Sequence, residues 1–193
     1  MSEEIAKAKT SRWPLWILIA LCIAPIAASY IAYYWLQPSE QVNYGELLEP
    51  RPLPRAQLYT LDSAAFEWSD LRGKWVLTVV DGGQCHAWCQ EKLVYLRQVR
   101  LAQGKEAERV ERVWLVSDEN RPDPVLLAAH EGLLVVRASK SALLAAFPAA
   151  HTPEDHIYVV DPLGNLMMRY PRNADPRRIL KDMGRLLRHS KWR

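Results

Sequence analysis

Cysteine is scarce in this chain of 193 residues: there are three, and Cys22 falls inside an apolar run. The other two are too few for a disulfide framework or for a zinc site built from two cysteine pairs. A formal net charge of +3 is too mild to indicate nucleic acid, and no stretch interleaves basic and aromatic residues as an RNA-recognition strand does. There is no internal repeat and no low-complexity tract, which excludes solenoids and arrays. Lys and Arg are missing altogether between Arg12 and Arg51, and residues 13 to 36 carry no charge of either sign.

That uncharged stretch, WPLWILIALCIAPIAASYIAYYWL, is long enough as a helix to cross a hydrocarbon core of roughly 30 Å. Trp13 and Trp16 at one end, and Tyr30, Tyr33, Tyr34 and Trp35 at the other, are placed like interfacial aromatic belts. Pro25 kinks such a helix without forbidding it. The alternative is a cleaved signal peptide with Ala27-Ala28-Ser29 as processing site, but apolar character continues past that point. Lys7, Lys9 and Arg12 on the near side and Glu40, Glu46 and Glu49 on the far side orient the anchor by the positive-inside rule. The expectation is a cytoplasmic N-terminus (1–12), a transmembrane helix (13–36) in an inner membrane, and a periplasmic soluble part, where thiol pairs are oxidised.

Residues 37 to 56, with Pro38, Pro50, Pro52 and Pro54, read as a semi-rigid spacer, or in part as an irregular strand. The remainder, 57–190, has the length of one domain. Strand candidates are Ala65 to Ser69, Lys74 to Val80, Val110 to Val116, Leu133 to Val136 and the hairpin Ile157 to Val160 with Leu166 to Tyr170 across an Asp161-Pro162-Leu163-Gly164 turn. Helix candidates are Cys85 to Gln103, Pro124 to His130, Lys140 to Phe147, and a last helix with Asp175 as N-cap and Pro176 at its first position. A strand, a cysteine-bearing helix, a crossover strand, then a hairpin and terminal helix are the plan of an α/β, thioredoxin-like sandwich of the glutaredoxin and peroxiredoxin type.

Cys85 and Cys89 stand at the start of the first of those helices. Unpaired N–H groups there favour thiolate over thiol. Four residues apart on one helical face, the pair can close a disulfide or clamp one soft ion such as Cu(I). The plain alternative is two small core residues. A peroxidase-type cysteine is disfavoured, because Val80-Asp81-Gly82-Gly83-Gln84 lacks the Pro and Thr of such a loop.

The apolar anchor, Leu71-Arg72-Gly73-Lys74-Trp75-Val76-Leu77, Cys85-x-x-x-Cys89 and Tyr158-Val159-Val160-Asp161-Pro162-Leu163-Gly164 together resemble the Sco/SenC family. These are membrane-anchored, thioredoxin-like proteins of cytochrome c oxidase biogenesis. The resemblance implies copper held by the two cysteines and a distal histidine, and partners that include an oxidase subunit or its copper centre and other thiol proteins. Where the family has Pro after each cysteine, this chain has His86 and Gln90. The position of the family's histidine is taken by Pro153, with His151 and His156 as the nearby substitutes. Thr152-Pro153 resembles the proline, often cis, that faces the cysteines of thioredoxins.

His86 is adjacent to Cys85 but turned about 100° away on a helix. His130 and His189 read as helix-surface residues. Trp88 is a shield for the pair or ordinary core; Asp81 is a proton acceptor for Cys89 or a turn residue. Arg172, Arg177, Arg178, Lys181, Arg185, Arg188, Lys191 and Arg193 form a basic C-terminal run, either a solvated helix face or a surface that holds the domain near anionic lipid or docks an acidic partner. Two functions follow from the sequence. One is an oxidase assembly factor working by thiol-disulfide exchange, Cu(I) handling or both. The other is a non-catalytic membrane-anchored factor that docks through the fold and the basic helix.

Overall fold

The computed structural model describes residues 12–35 and 43–190. Lys7, Lys9, Leu36, Pro38, Glu40, Lys191 and Arg193 lie outside the described residues. Two compact units divide the chain between Val42 and Asn43.

In the first unit, helix α1 runs through Trp13–Trp35 with Pro25 inside it. Its window Trp13–Ala32 has a mean hydropathy of 2.3, so it is long and apolar enough to cross a membrane.

The second unit is one mixed sheet. Its strands are β1 (Glu46–Pro52), β2 (Leu58–Thr60), β3 (Ala65–Phe66), β4 (Trp75–Asp81), β5 (Val110–Val116), β6 (Leu134–Arg137), β7 (Ile157–Val160) and β8 (Asn165–Tyr170). Its helices are α2 (Ala87–Ala102), α3 (Pro124–Ala129) and α4 (Pro176–His189). The strand order is β1-β8-β7-β4-β5-β6-β2-β3. β4 lies inside the sheet, parallel to β5 and antiparallel to β7. A parallel partner demands a crossover, and α2 supplies it.

The continuous apolar run in β4 is explained by burial on both faces. Trp75, Leu77 and Val79 pack with Leu93, Leu96 and Val99 of α2 and Ile179, Met183 and Leu187 of α4. Val76 and Val80 point the other way, to Leu143, Phe147 and Tyr158. The order and type of the main elements are those the sequence predicts, an α/β thioredoxin-like sandwich.

Four local differences have identifiable causes. Residues 46–52, within the stretch read as a spacer, are an edge strand on β8, with Arg169 Nε donating to Glu46 Oε2 at 2.7 Å. An edge tolerates Pro50 and Pro52 because it has no outer neighbour to bond. β3 ends at Phe66, and Trp68–Leu71 turns as a 3-10 helix capped by Glu67 and Asp70. Ala142–Ala146 is likewise 3-10. His130, expected on a helix surface, is buried, because α3 stops at Ala129 and the chain turns inward.

The start of this unit is fastened to α4. Buried Asp182 accepts from the N–H groups of Tyr44 at 2.8 Å and Gly45 at 2.9 Å. Gly45 has no room for a side chain, since a Cβ there would stand 2.6 Å from Met168 Sδ. The Arg178 guanidinium covers the Tyr44 ring at 3.7 Å from its centroid.

Candidate functional site

The site is made where β4 ends. After Asp81 the chain turns through Gly82 and Gly83 against the 118–120 loop, and at Gly83, which faces backbone, only glycine fits. A Cβ on Gly82 would meet Asp118 Oδ2 at 2.7 Å, and one on Gly83 would meet the Asn120 carbonyl at 2.1 Å. The Asp118 carboxylate accepts from Gly83 N–H at 2.8 Å and from the Asn120 backbone and side chain. Burial works to raise its pKa, but those hydrogen bonds outweigh it and hold the carboxyl below the usual aspartate range.

The turn delivers Cys85 outside the helix, not on it. Cys85 has φ of +43°, a left-handed conformation that costs a non-glycine residue about 1–3 kcal/mol. Its N–H donates to Gly82 O at 3.1 Å, and its carbonyl accepts from Gln90 Nε2 at 3.0 Å. His86 is the N-cap and α2 begins at Ala87, two residues later than the sequence suggests. Cys89 is therefore in the first turn of α2, and the Cα atoms of the two cysteines are 5.0 Å apart. They are joined as a disulfide. Both cysteines are buried, at 1% and 2% exposure, so this oxidised state does not offer a sulfur to solvent.

Three residues after Cys89 on α2 lies a residue that no sequence motif singles out. Lys92, on α2, has a fully buried side chain. Its ammonium donates to Asp81 Oδ2 at 2.7 Å, to Glu154 O at 2.5 Å and, more weakly, to Val80 O at 3.5 Å. Desolvation lowers its pKa, with the Asp81 carboxylate the main opposing influence. Asp81 is thus the counter-ion of Lys92. The signal was present in the pattern: Cys89, Lys92, Leu93 and Leu96 have helical spacing, which put a lysine in the buried stripe. Trp88 stands half-buried between the cysteines in sequence, edge-on to Tyr95 at 6.3 Å and 6.0 Å from the Lys92 ammonium.

His156 has polar and aromatic partners of its own. His156 Nδ1 is bonded to the Tyr170 carbonyl at 2.8 Å, and its ring meets Tyr158 at 5.9 Å. Tyr158 belongs to the core on one face of the sheet, whereas Cys85 and Cys89 belong to the core on the other. By strand alternation His156 shares the Tyr158 side. His151 and His86 are exposed. Among the described residues no group of three or more His, Cys, Asp or Glu is placed to hold a metal ion. Pro153 opens a 3-10 turn, Pro153–Asp155, and no described peptide bond is cis. The turn faces α2 through Glu154, whose carbonyl takes the Lys92 hydrogen bond.

A family model described as the transmembrane-like, thioredoxin-like, C-terminal domain matches residues 75–190, the stretch from β4 to the end of α4. The chain belongs to that family. Its fold is shared with solved Sco structures. Yeast Sco1 with copper bound is 15% identical, with 76% of this chain and 100% of that chain covered at a TM-score of 0.61. Bradyrhizobium japonicum ScoI with copper bound is 20% identical over 70% and 99% of the two chains, at 0.55. BsSco, described with a disulfide switch and as a member of the Sco family of cytochrome c oxidase assembly proteins, is 15% identical over 75% and 99%, at 0.56. No curated protein matches the chain by sequence.

Lys92→Met leaves Asp81 and the Glu154 carbonyl without their donor, and is expected to cost about 3 kcal/mol of unfolding free energy, with part recovered by adding Asp81→Asn. Urea unfolding of the oxidised full chain in detergent checks this. A loss under about 0.5 kcal/mol, the size of an ordinary surface change, contradicts the role given to Lys92.

Proposed function

We propose that this chain is a membrane-tethered dithiol protein of oxidase assembly, exchanging electrons between Cys85–Cys89 and the thiols of a partner. The observation that carries the reading is the closed disulfide across the start of α2, at the end of the central strand. Those are the position and chemistry of a redox pair on this fold. In the reduced protein one thiolate, assigned to Cys85, attacks a partner disulfide and forms a mixed disulfide, expelling one partner thiolate. The Cys89 thiolate then attacks Cys85 Sγ and releases the second partner thiolate. Two electrons have passed to the partner, and the chain is left in the oxidised form described above. A second thiol protein must reduce it again.

The substrate suggested by the Sco likeness is the cysteine pair of a cytochrome c oxidase copper centre. Charge placement supports a cytoplasmic N-terminus and a periplasmic domain at the inner membrane, an oxidising compartment in which the pair needs a dedicated reductant.

Copper is cargo in this reading. Two thiolates suit Cu(I), and in the reduced protein Cys85 and Cys89 supply them. His156 is engaged by the Tyr170 carbonyl and the Tyr158 ring and His151 is exposed, and no step is routed through either. The reduced full chain is expected to take up to about one Cu(I), lost in Cys85→Ser; less than about one tenth of an equivalent removes the cargo role and leaves exchange.

The exchange itself is tested in cells that depend on this chain for oxidase assembly. The variant Cys85→Ser/Cys89→Ser, present in membranes at normal level, is expected to drop oxidase activity roughly tenfold or more, because the exchange step is lost with both thiols. Normal activity from that variant overturns the reading in favour of a purely docking role.

A further inference from the structure

The basic face of α4 has no role in thiol exchange, and its layout is specific. At 100° per residue, Arg177, Lys181 and Arg188 fall within an arc of about 40°. Ile179, Met183 and Leu187, buried against the sheet, occupy the other side of the helix. Arg177, Lys181 and Arg188 are exposed, and among the described residues none of them forms an ion pair. Neighbouring cations are engaged: Arg172 with Asp155 at 3.4 Å, Arg178 over the Tyr44 ring. Arg109, bonded to the carbonyls of Leu187 and Ser190 at the C-terminal end of α4, is likewise engaged, by Glu106.

Where the chain enters this unit decides what such a stripe meets. Asp182, on α4 itself, holds the backbone of Tyr44 and Gly45, the first residues of the unit apart from Asn43. The tether is thus attached to the helix that carries the stripe, about 120° round it from the stripe's centre. Residues 36–42 separate α1 from Asn43, and a stretch of that length reaches at most about 29 Å when fully extended. A short tether keeps the attached element at high effective concentration near whatever surface holds α1.

We propose that Arg177, Lys181 and Arg188 form an electrostatic contact with anionic phospholipid headgroups of the membrane that holds α1. The proposal rests on α1 as a span and not on the chemistry of the cysteines. Each cation near an anionic surface strengthens attachment roughly fivefold, the equivalent of about 1 kcal/mol. Salt weakens such a contact strongly, since charges beyond about 10 Å are screened at 0.1 M. Docking on the membrane would fix the height and orientation of the cysteine pair relative to membrane-bound partners.

The test uses the oxidised full chain in lipid nanodiscs, made either of neutral phosphatidylcholine or with about one third phosphatidylglycerol. The rate of lysine acylation is read by mass spectrometry at Lys181, with exposed Lys140 as the internal reference. At low salt, Lys181 is expected to react at least about fivefold more slowly in the anionic discs, and to recover at high salt, while Lys140 is unchanged. Arg177→Gln/Arg188→Gln, with the disulfide verified intact, is expected to return Lys181 to its neutral-disc rate. Equal rates in both discs overturn the proposal, as does protection that appears only when an acidic polypeptide is added. A chain that fails to enter the discs overturns the span and the proposal with it.

Discussion

A buried ammonium joins three pieces of chain around the end of the central strand, where the cysteine pair begins. Lys92 comes from the cysteine-bearing helix, Asp81 from the end of the central strand, and Glu154 from the turn that precedes β7. Taking that charge out of water is costly, and the cost is met only by the carboxylate and the two carbonyls arranged around it. Displacing any one of the three segments would leave a buried cation short of partners. The constraint therefore acts as a lock on helix placement, and the helix in turn sets where Cys89 lies relative to the Gly82-Gly83 turn that carries Cys85.

The turn shows the same economy of space. Glycine is required at Gly83, because the Asn120 backbone approaches too closely for any Cβ, and Cys85 is held in a left-handed conformation by its bonds to Gly82 and Gln90. Gln90 stands where the resemblance to Sco proteins calls for proline, and its side chain grips the Cys85 carbonyl, something proline cannot do. The departure in sequence has a structural counterpart. The pair is covered in the oxidised state, so exchange requires this small loop to open before a sulfur can be reached.

Much of the fold was legible because the signals were local and redundant. β4 and β5 are short β-branched runs buried on both faces, the 161–164 turn carries its own turn chemistry, and Asp175-Pro176 announces α4. The start of α2 was misplaced because His86, a residue without a capping hydrogen bond, is its N-cap, and because nothing in the sequence reveals that Cys85 adopts a positive φ. Lys92 was readable from spacing, but its partner Glu154 contributes a backbone carbonyl, which composition cannot show. The histidines were the least legible. Whether His156 faces the cysteines depends on strand alternation across the sheet, and the structure sets it beside Tyr158 on the other face.

The central claim, that Cys85 and Cys89 exchange electrons with a partner, is met most directly by trapping the exchange half-way. In membranes carrying Cys89→Ser, Cys85 can form a mixed disulfide that nothing within the chain resolves. A covalent adduct through Cys85 is expected, released by reductant and absent from Cys85→Ser/Cys89→Ser. A folded, membrane-bound Cys89→Ser chain whose Cys85 stays a free thiol, with no adduct, would contradict it.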